Sequence, residues 1–342
     1  PQPLSNLPSS SQQTPVACGG RRPRENEVSN TAVILGSNGR LGRELVKAFA
    51  AAGWITYAVA RKPRSGGKPV SPLVRQIEAA VDDTEVIRRA VGTADVVVFA
   101  ANPPYTHWPQ QALPMLQAAI TLAATLHARL MFPGNVYNFG ANMPARLLPD
   151  TPQRATTRKG QVRMAMEQAL ADAAAHRGVQ SVVIRAGEFI GGGVGNWFDN
   201  TITKSIGKGR LTYPGRGDVT HAWAYLPDLA RAFVAVAAVR ANLPAHLRLH
   251  FPGYTLTGDE LCAALGRVAG RPLRVGGMPW PLLRAISPLV PILREITEMR
   301  YLWEVPHALD GGALQAMIGE TPVTPLEDAL RAALHELGFL HG

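Results

Sequence analysis

Three glycines, Gly36, Gly39 and Gly42, follow directly on the aliphatic run Thr31 to Leu35. Backbone N–H groups in such a turn can take an anionic phosphate if no side chains stand in the way. The run before them reads as a buried strand. After them Leu41, Leu45, Ala48, Phe49 and Ala52 fall on one helical face, and Gly53 stands where a C-terminal cap belongs. Strand, glycine turn and helix in that order predict a pyrophosphate site formed by Gly36, Ser37, Asn38, Gly39, Arg40, Leu41 and Gly42.

A second group of residues could move a proton. At 100° per residue Val162, Met166, Leu170 and Ala173 form an apolar stripe, and Lys159 lies on the same line one turn nearer the helix start. A lysine aimed at the core and partly desolvated has its pKa pulled down and can exchange a proton with a carbonyl oxygen. If it stays charged it can stabilise an oxyanion, snorkel past the helix end or pair with a phosphate. Arg163 and Glu167 follow at i+4 and i+8, on the flank of that stripe, where they can pair with each other. Tyr137 and Asn135, just past the strand Arg129 to Phe132, can supply a polar group beside the reacting centre. His221, Glu188 and Asn102 are further polar residues around the inferred cleft, expected to orient or pack.

The elements that must position these groups alternate between strand and helix. Trp54 to Ala60 is a second strand, and Arg61, Lys62, Arg64 and Lys68 follow it. The end of that strand faces the adenosine ribose, where a basic residue accommodates a 2′-phosphate, so Arg61 and Lys62 argue for NADP, with NAD as the alternative. Ile77 to Val81 is a third strand, after which Asp82 and Glu85 are placed as a capping box. Asp95 to Ala101 is a fourth strand, apolar enough to be covered on both faces. A helix from about Pro109 to His127, a fifth strand, a helix from about Thr157 to Ala175 and a sixth strand, Gln180 to Arg185, complete the alternation. Ala100, Ala101, Asn102, Pro133, Ala186, Glu188 and Phe189 then fall at the carboxyl edge, where a cofactor lies in an open α/β sheet. Beyond the glycine cluster 191 to 195, Trp197, Phe198, Tyr213, Trp223 and Tyr225 gather in expected loops, and Leu247 to Phe251 returns to the sheet. The fold class is α/β: a Rossmann doubly wound parallel sheet with a smaller C-terminal substrate lobe. Residues 1–30 read as a flexible tail, 31–190 as the dinucleotide-binding domain and 191–342 mainly as the substrate lobe, with segments near 219–251 returning to the sheet.

Composition narrows the partners. The net charge is +10, but the Lys and Arg are dispersed and no basic run interleaves with aromatics. An anionic cofactor or small-molecule substrate accounts for that charge better than nucleic acid. Cys18 and Cys262 lack metal-ligand spacing, so neither a disulfide framework nor a metal site is expected. The longest apolar candidate, Leu282 to Ile296, is interrupted by Arg and Pro, and no membrane span is expected. The first residues are rich in Pro, Ser and Gln without an apolar signal core. A cytoplasmic protein without a membrane partner is the resulting expectation.

The G-x-x-G-x-x-G spacing resembles the short-chain dehydrogenase/reductase superfamily. HAWAYLPDLARAFVAV (His221 to Val236), YTLTGDELCAALGRVAGR (Tyr254 to Arg271) and LDGGALQAMIGETPVTPLEDALRAAL (Leu309 to Leu334) resemble segments of its NAD-dependent epimerase/dehydratase group. In the first a strand feeds an Asp-capped helix; the likeness spans nearly all of the chain after residue 30. It implies contact of Asp82 with adenine and a homodimer through two sheet-flanking helices. It also implies a Ser or Thr after the fifth strand and a Tyr-x-x-x-Lys on the next helix. Those positions hold Pro133 or its neighbours Gly134 and Asn135, then Lys159 and Arg163. KGQVRMAME is similar instead to the Lys-x-x-x-Arg-x-x-x-Glu helix of the isoflavone reductase and NmrA-like groups, in whose reductases the lysine is the implied catalytic residue. The expected function is an NAD(P)H-dependent oxidoreductase acting on a small carbonyl or conjugated substrate, with Lys159 in place of the usual Tyr. The alternatives are a non-catalytic NADP sensor and a sugar-nucleotide epimerase or dehydratase.

Overall fold

A computed structural model describes residues 30–62 and 71–340. Arg64, Lys68, Cys18 and the expected tail lie outside the described residues. The chain runs through β1 (Thr31–Leu35), α1 (Arg40–Ala51), β2 (Ile55–Ala60), β3 (Val74–Glu78), α2 (Thr84–Val91), β4 (Val96–Phe99) and α3 (Trp108–Thr125). It continues with β5 (Arg129–Gly134), the two-residue β6 (Arg146–Leu147), α4 (Arg158–His176), β7 (Ser181–Arg185), β8 (Glu188–Ile190), β9 (Arg210–Tyr213), β10 (Thr220–Tyr225) and α5 (Leu226–Ala238). It closes with β11 (His246–His250), β12 (Tyr254–Thr257), α6 (Gly258–Val268), β13 (Arg274–Gly277), α7 (Trp280–Ile286), α8 (Pro291–Glu298), β14 (Ala308–Leu309), α9 (Gly312–Ile318) and α10 (Leu326–Glu336).

Seven strands form one parallel sheet in the order β11-β7-β5-β4-β1-β2-β3. The order reverses between β1 and β4, and in open α/β sheets the crevice for a ligand lies at the carboxyl ends beside such a reversal. β4 and β7 are buried along their whole length, because helices cover both faces. One face packs Ile87, Leu116, Ile120, Met166 and Leu170 from α2, α3 and α4; the other packs Leu45, Phe49, Leu229 and Phe233 from α1 and α5. A third apolar cluster, with Phe198, Tyr213, Trp223, Leu261, Trp303 and Leu330, builds the smaller lobe around the three-stranded sheet β12-β10-β8.

Several expectations are corrected. The third strand is Val74–Glu78 and not Ile77 to Val81; as the edge strand it leaves Arg75, Gln76 and Glu78 in water, so its sequence lacks the apolar run of a central strand. Asp82 and Glu85 form no capping box: Asp83 is the N-cap, with Oδ2 accepting the Ala80 N–H at 2.7 Å, while Glu85 pairs with Arg88 and Arg89. On α1 the buried face takes Val46 and Ala50, and Ala52 is exposed. Tyr213, Trp223 and Tyr225 stand on strands, and Phe198, Tyr213 and Trp223 are core residues of the smaller lobe. Of the segment 219–251, β11 joins the large sheet, whereas β10 pairs with β8 and β12.

The quoted C-terminal motifs bind one another. Asp228 sits in the first turn of α5, whose N-cap is Tyr225, so it is not the cap. Its carboxylate accepts the Thr324 N–H at 2.6 Å and the Thr324 hydroxyl at 2.8 Å, which ties PLEDALR to HAWAYLPDLA. Thr257 and Glu260 form a true capping box at the start of α6.

Candidate active site

The glycine turn is shaped for close approach. Gly36 has φ +84, which a side chain rarely adopts, and a Cβ there would lie 2.6 Å from the Ala101 Cα. A Cβ on Gly42 would run into the Gly36 carbonyl. Ser37 binds the Val59 carbonyl through its N–H (3.0 Å) and its hydroxyl (3.1 Å), and Asn38 Nδ2 donates to the Lys62 carbonyl at 2.7 Å. The turn is thus fastened to the end of β2. The first turn of α1 has no side-chain cap and no acidic residue, which leaves its N–H groups and dipole for an anion. Arg40 borders this N-terminus with its guanidinium 5.8 Å over the Phe189 ring and 3.9 Å from Asp199, and one of its terminal nitrogens is buried without a hydrogen-bond partner. Uncapped helix, close-approach glycines and an arginine with a buried N–H free of hydrogen bonds fit the pyrophosphate of a dinucleotide. Ala100, Ala101 and Asn102 lie opposite at the end of β4, and the exposed Arg61 and Lys62 at the end of β2. Asp82 is exposed in the turn after β3.

At the far end of the crevice two phenols meet. β5 ends at Gly134, and Asn135 turns the chain by accepting the Tyr137 N–H on its Oδ1 at 3.1 Å. This leaves the Tyr137 hydroxyl 3.5 Å from that of Tyr105, which comes from the loop after β4. Arg163 lies 4.7 Å over the Trp108 ring and 5.2 Å over the Phe132 ring and donates to the Pro133 carbonyl at 3.2 Å. Burial pushes the Tyr137 phenol well above its ordinary pKa, Tyr105 and Glu188 add to the rise, and Arg163 opposes it. Burial likewise pushes the Glu188 carboxyl up to about 7, against the charge of Arg40. Glu188 stands on β8 opposite Trp223, and among the described residues its carboxyl has no ion-pair partner. Ala186 and Phe189 flank it, Ala186 buried and Phe189 partly so. At neutral pH this region therefore holds a protonated phenol and, within electrostatic reach of it, a carboxyl able to gain or lose a proton.

Lys159 is buried as its stripe predicts, only 2% exposed, and it is not alone. Its Nζ donates to the Glu295 carbonyl at 3.2 Å, to the Glu295 carboxylate and to the Glu298 carboxylate at 2.9 Å. An ammonium has three N–H groups, and here each has an acceptor on α8. Arg158 adds a second cation, so the start of α4 is clamped to α8 by two bases and two acids. The Glu298 carboxyl, raised by burial, is brought below its ordinary pKa by the hydrogen bond and charge of Lys159.

The Arg163–Glu167 pair that the spacing allows does not form. Glu167 turns the other way, into the sheet, and takes a forked bond from Arg185 at 2.9 and 2.6 Å, with Asn138 and Gln153 completing its acceptors. His221 packs: its Nδ1 meets the Tyr213 hydroxyl at 2.8 Å, and burial first, then the neighbouring His307, lowers its pKa to about 3. Asn102 is exposed beside the crevice. Sequence reasoning singled out neither Tyr105 nor Glu295 and Glu298. The position of Tyr105, three residues past Asn102 at the carboxyl edge, is a usable signal; the glutamates, more than a hundred residues from Lys159, give none.

This combination of sheet order, glycine turn and uncapped helix defines a Rossmann dinucleotide-binding protein. Residues 32–247 match the NAD dependent epimerase/dehydratase family, and the chain belongs to that family. Its fold is that of a UDP-glucose-4-epimerase from Stenotrophomonas maltophila with bound NAD and formylated UDP-arabinopyranose, at TM-score 0.72 and 15% identity over 90% of this chain and 97% of that one. A UDP-glucose 4-epimerase from Brucella ovis in complex with NAD gives TM-score 0.71 and 16% identity over 91% and 99%. L-threonine dehydrogenase from Clostridium difficile gives 0.70 and 15% over 90% and 98%. No curated protein matches the chain in sequence.

Proposed function

We propose that the chain is an NADP-preferring oxidoreductase that moves hydride to or from a small carbonyl or conjugated substrate. The observation that carries the reading is the pairing of a close-approach glycine cradle at one end of the crevice with a protonated, cation-flanked phenol at the other. When bound, the nicotinamide supplies or accepts the hydride. Arg61 and Lys62, exposed at the end of β2, support a 2′-phosphate there.

Within this reading Tyr137 donates its proton to the carbonyl oxygen, Arg163 stabilises the phenolate left behind, and Glu188 returns the proton. Lys159, with every donor satisfied by α8, acts electrostatically and as the clamp of that helix rather than as the acid. The test is Tyr137→Phe. Turnover of carbonyl or enone substrates, followed by NADPH absorbance, should fall by about 100-fold or more, while the calorimetric Kd for NADPH stays within a few-fold. Unchanged turnover in this variant would sink the assignment. A nucleotide-sensing role is the second reading, favoured by the full occupation of Lys159; NADPH binding without turnover across a broad panel would establish it. The sugar-nucleotide specificity of the epimerases similar in fold is a third reading, tested by incubation with UDP-sugars and separation of the epimers, since epimerisation is redox-neutral overall.

A further inference from the structure

The turn between α7 and α8 presents apolar side chains to water. Leu289 is 84% exposed, Leu282 57%, Ile292 46% and Ile286 37%, all within one stretch of the chain. Single exposed apolar residues are ordinary, but four on one short helical hairpin are not. The exposure does not come from loose packing. Trp280 anchors α7 by donating its indole N–H to the Pro214 carbonyl at 2.6 Å, and Glu295 and Glu298 anchor α8 on Lys159. Pro288 and Pro291 bracket Leu289 and Val290, and the Leu289 N–H closes the turn on the Ile286 carbonyl at 3.0 Å.

The exposed charge nearest this turn is basic: Arg284 and Arg294 flank it, while Glu295 and Glu298 further along α8 are taken by Lys159 and Arg158. From Leu261 to Arg294 the sequence holds Arg267, Arg271, Arg274, Arg284 and Arg294 and no Asp or Glu. Arg267 is taken by Glu327 and Arg271 by the carbonyls of Ile206 and Gly207. Arg284, exposed in the last turn of α7, has no ion-pair partner among the described residues, and Arg294 is held at the turn by donating to the Pro288 carbonyl at 3.3 Å. Exposed Leu and Ile flanked by arginines suit a bilayer interface: the apolar side chains reach the acyl boundary while the guanidinium groups meet anionic headgroups.

We propose that the α7–α8 turn docks this chain on an anionic membrane surface. Among the described residues no helix is long and apolar enough to cross a membrane, which bears on spanning a bilayer and not on lying against one. The docking turn stands on the back of the helix that clamps Lys159, so the surface and the crevice share one element.

The test is flotation of the full chain with vesicles of phosphatidylcholine and phosphatidylglycerol in equal parts, against phosphatidylcholine alone. Binding to the mixed vesicles and little to the neutral ones is expected. Leu289→Asn should weaken mixed-vesicle binding about tenfold, equivalent to ~1.4 kcal/mol. Ile286→Asn should repeat the effect, and Arg284→Ala should lower binding to the mixed vesicles only; thermal melting confirms that each exposed substitution leaves the fold intact. The proposal is overturned if neither vesicle is bound, or if binding is salt-sensitive but unmoved by Leu289→Asn, since the net charge alone would then explain it. It is also overturned if Leu289→Asn changes the sedimentation of the free chain while sparing vesicle binding, which would make the turn a contact between copies.

Discussion

Replacing Lys159 by Met keeps the length and apolar contacts of the side chain and removes only the ammonium. Two carboxylates would then face each other, Glu295 with its side chain 12% exposed and Glu298 15%, with Arg158, 53% exposed, as the remaining cation. Breaking a fully buried pair by removing one partner costs about 3–5 kcal/mol. Partial access of water to the glutamates reduces that here to about 2–3 kcal/mol. The contact joins α8 to α4 and lies outside the sheet, so the loss should appear as undocking of α8 and not as global unfolding. Hydrogen exchange of peptides covering Pro291–Glu298 should speed up by about 30- to 150-fold, with β1, β4 and β7 unchanged. Adding Glu295→Gln and Glu298→Gln should restore much of the protection. Because the folded Glu298 carboxyl lies below its ordinary value of 4.5, the clamp is fully present above that value and is lost as pH falls through the lowered one. The reasoning is refuted if α8 exchange is unaffected in Lys159→Met while turnover disappears, for Lys159 would then act on the substrate.

Further outcomes follow from the other ionisable groups. Folding carries the Glu188 carboxyl from about 4.5 to about 7. Wild-type stability should therefore decline as pH rises through that window, and Glu188→Gln should exceed wild type by on the order of 1–2 kcal/mol at pH 8 with no difference at pH 4; thermal melts at the two pH values check this. Glu167→Gln leaves the fully buried Arg185 without its counter-charge and should cost about 3 kcal/mol in urea unfolding. Arg61→Asp should weaken NADPH binding about tenfold or more and leave NADH binding nearly unchanged by calorimetry; equal affinities before and after would remove the 2′-phosphate assignment.

How far these features could be read from the sequence depended on whether their causes are local. The glycine turn, the buried central strands and the inward aim of Lys159 follow from spacing and periodicity within one or two elements. The bounds of the third strand are not legible, because this edge strand buries only Ile77 and lacks the aliphatic signature of a central one. Helical spacing offers Glu167 the nearby Arg163, while the fold delivers Arg185 from β7, which makes two hydrogen bonds to the carboxylate. Most of all, the role of Lys159 depends on Glu295 and Glu298, which no pattern near Lys159 announces. A lone inward lysine invites a catalytic reading; one enclosed by two carboxylates invites a mechanical one.

The last strand of the large sheet has a consequence for biosynthesis. β11 pairs with β7 in the register Ser181 to His246, yet it leaves the ribosome only after β8, β9, β10 and α5 have been made. Until then the growing chain carries a six-stranded sheet whose outer strand, buried on all five residues in the finished protein, has an open row of backbone donors and acceptors. A chaperone that shields this edge during translation would raise soluble yield, and a chain ending before His246 should collect in aggregates even though its nucleotide loop, helix α1 and first six strands are complete.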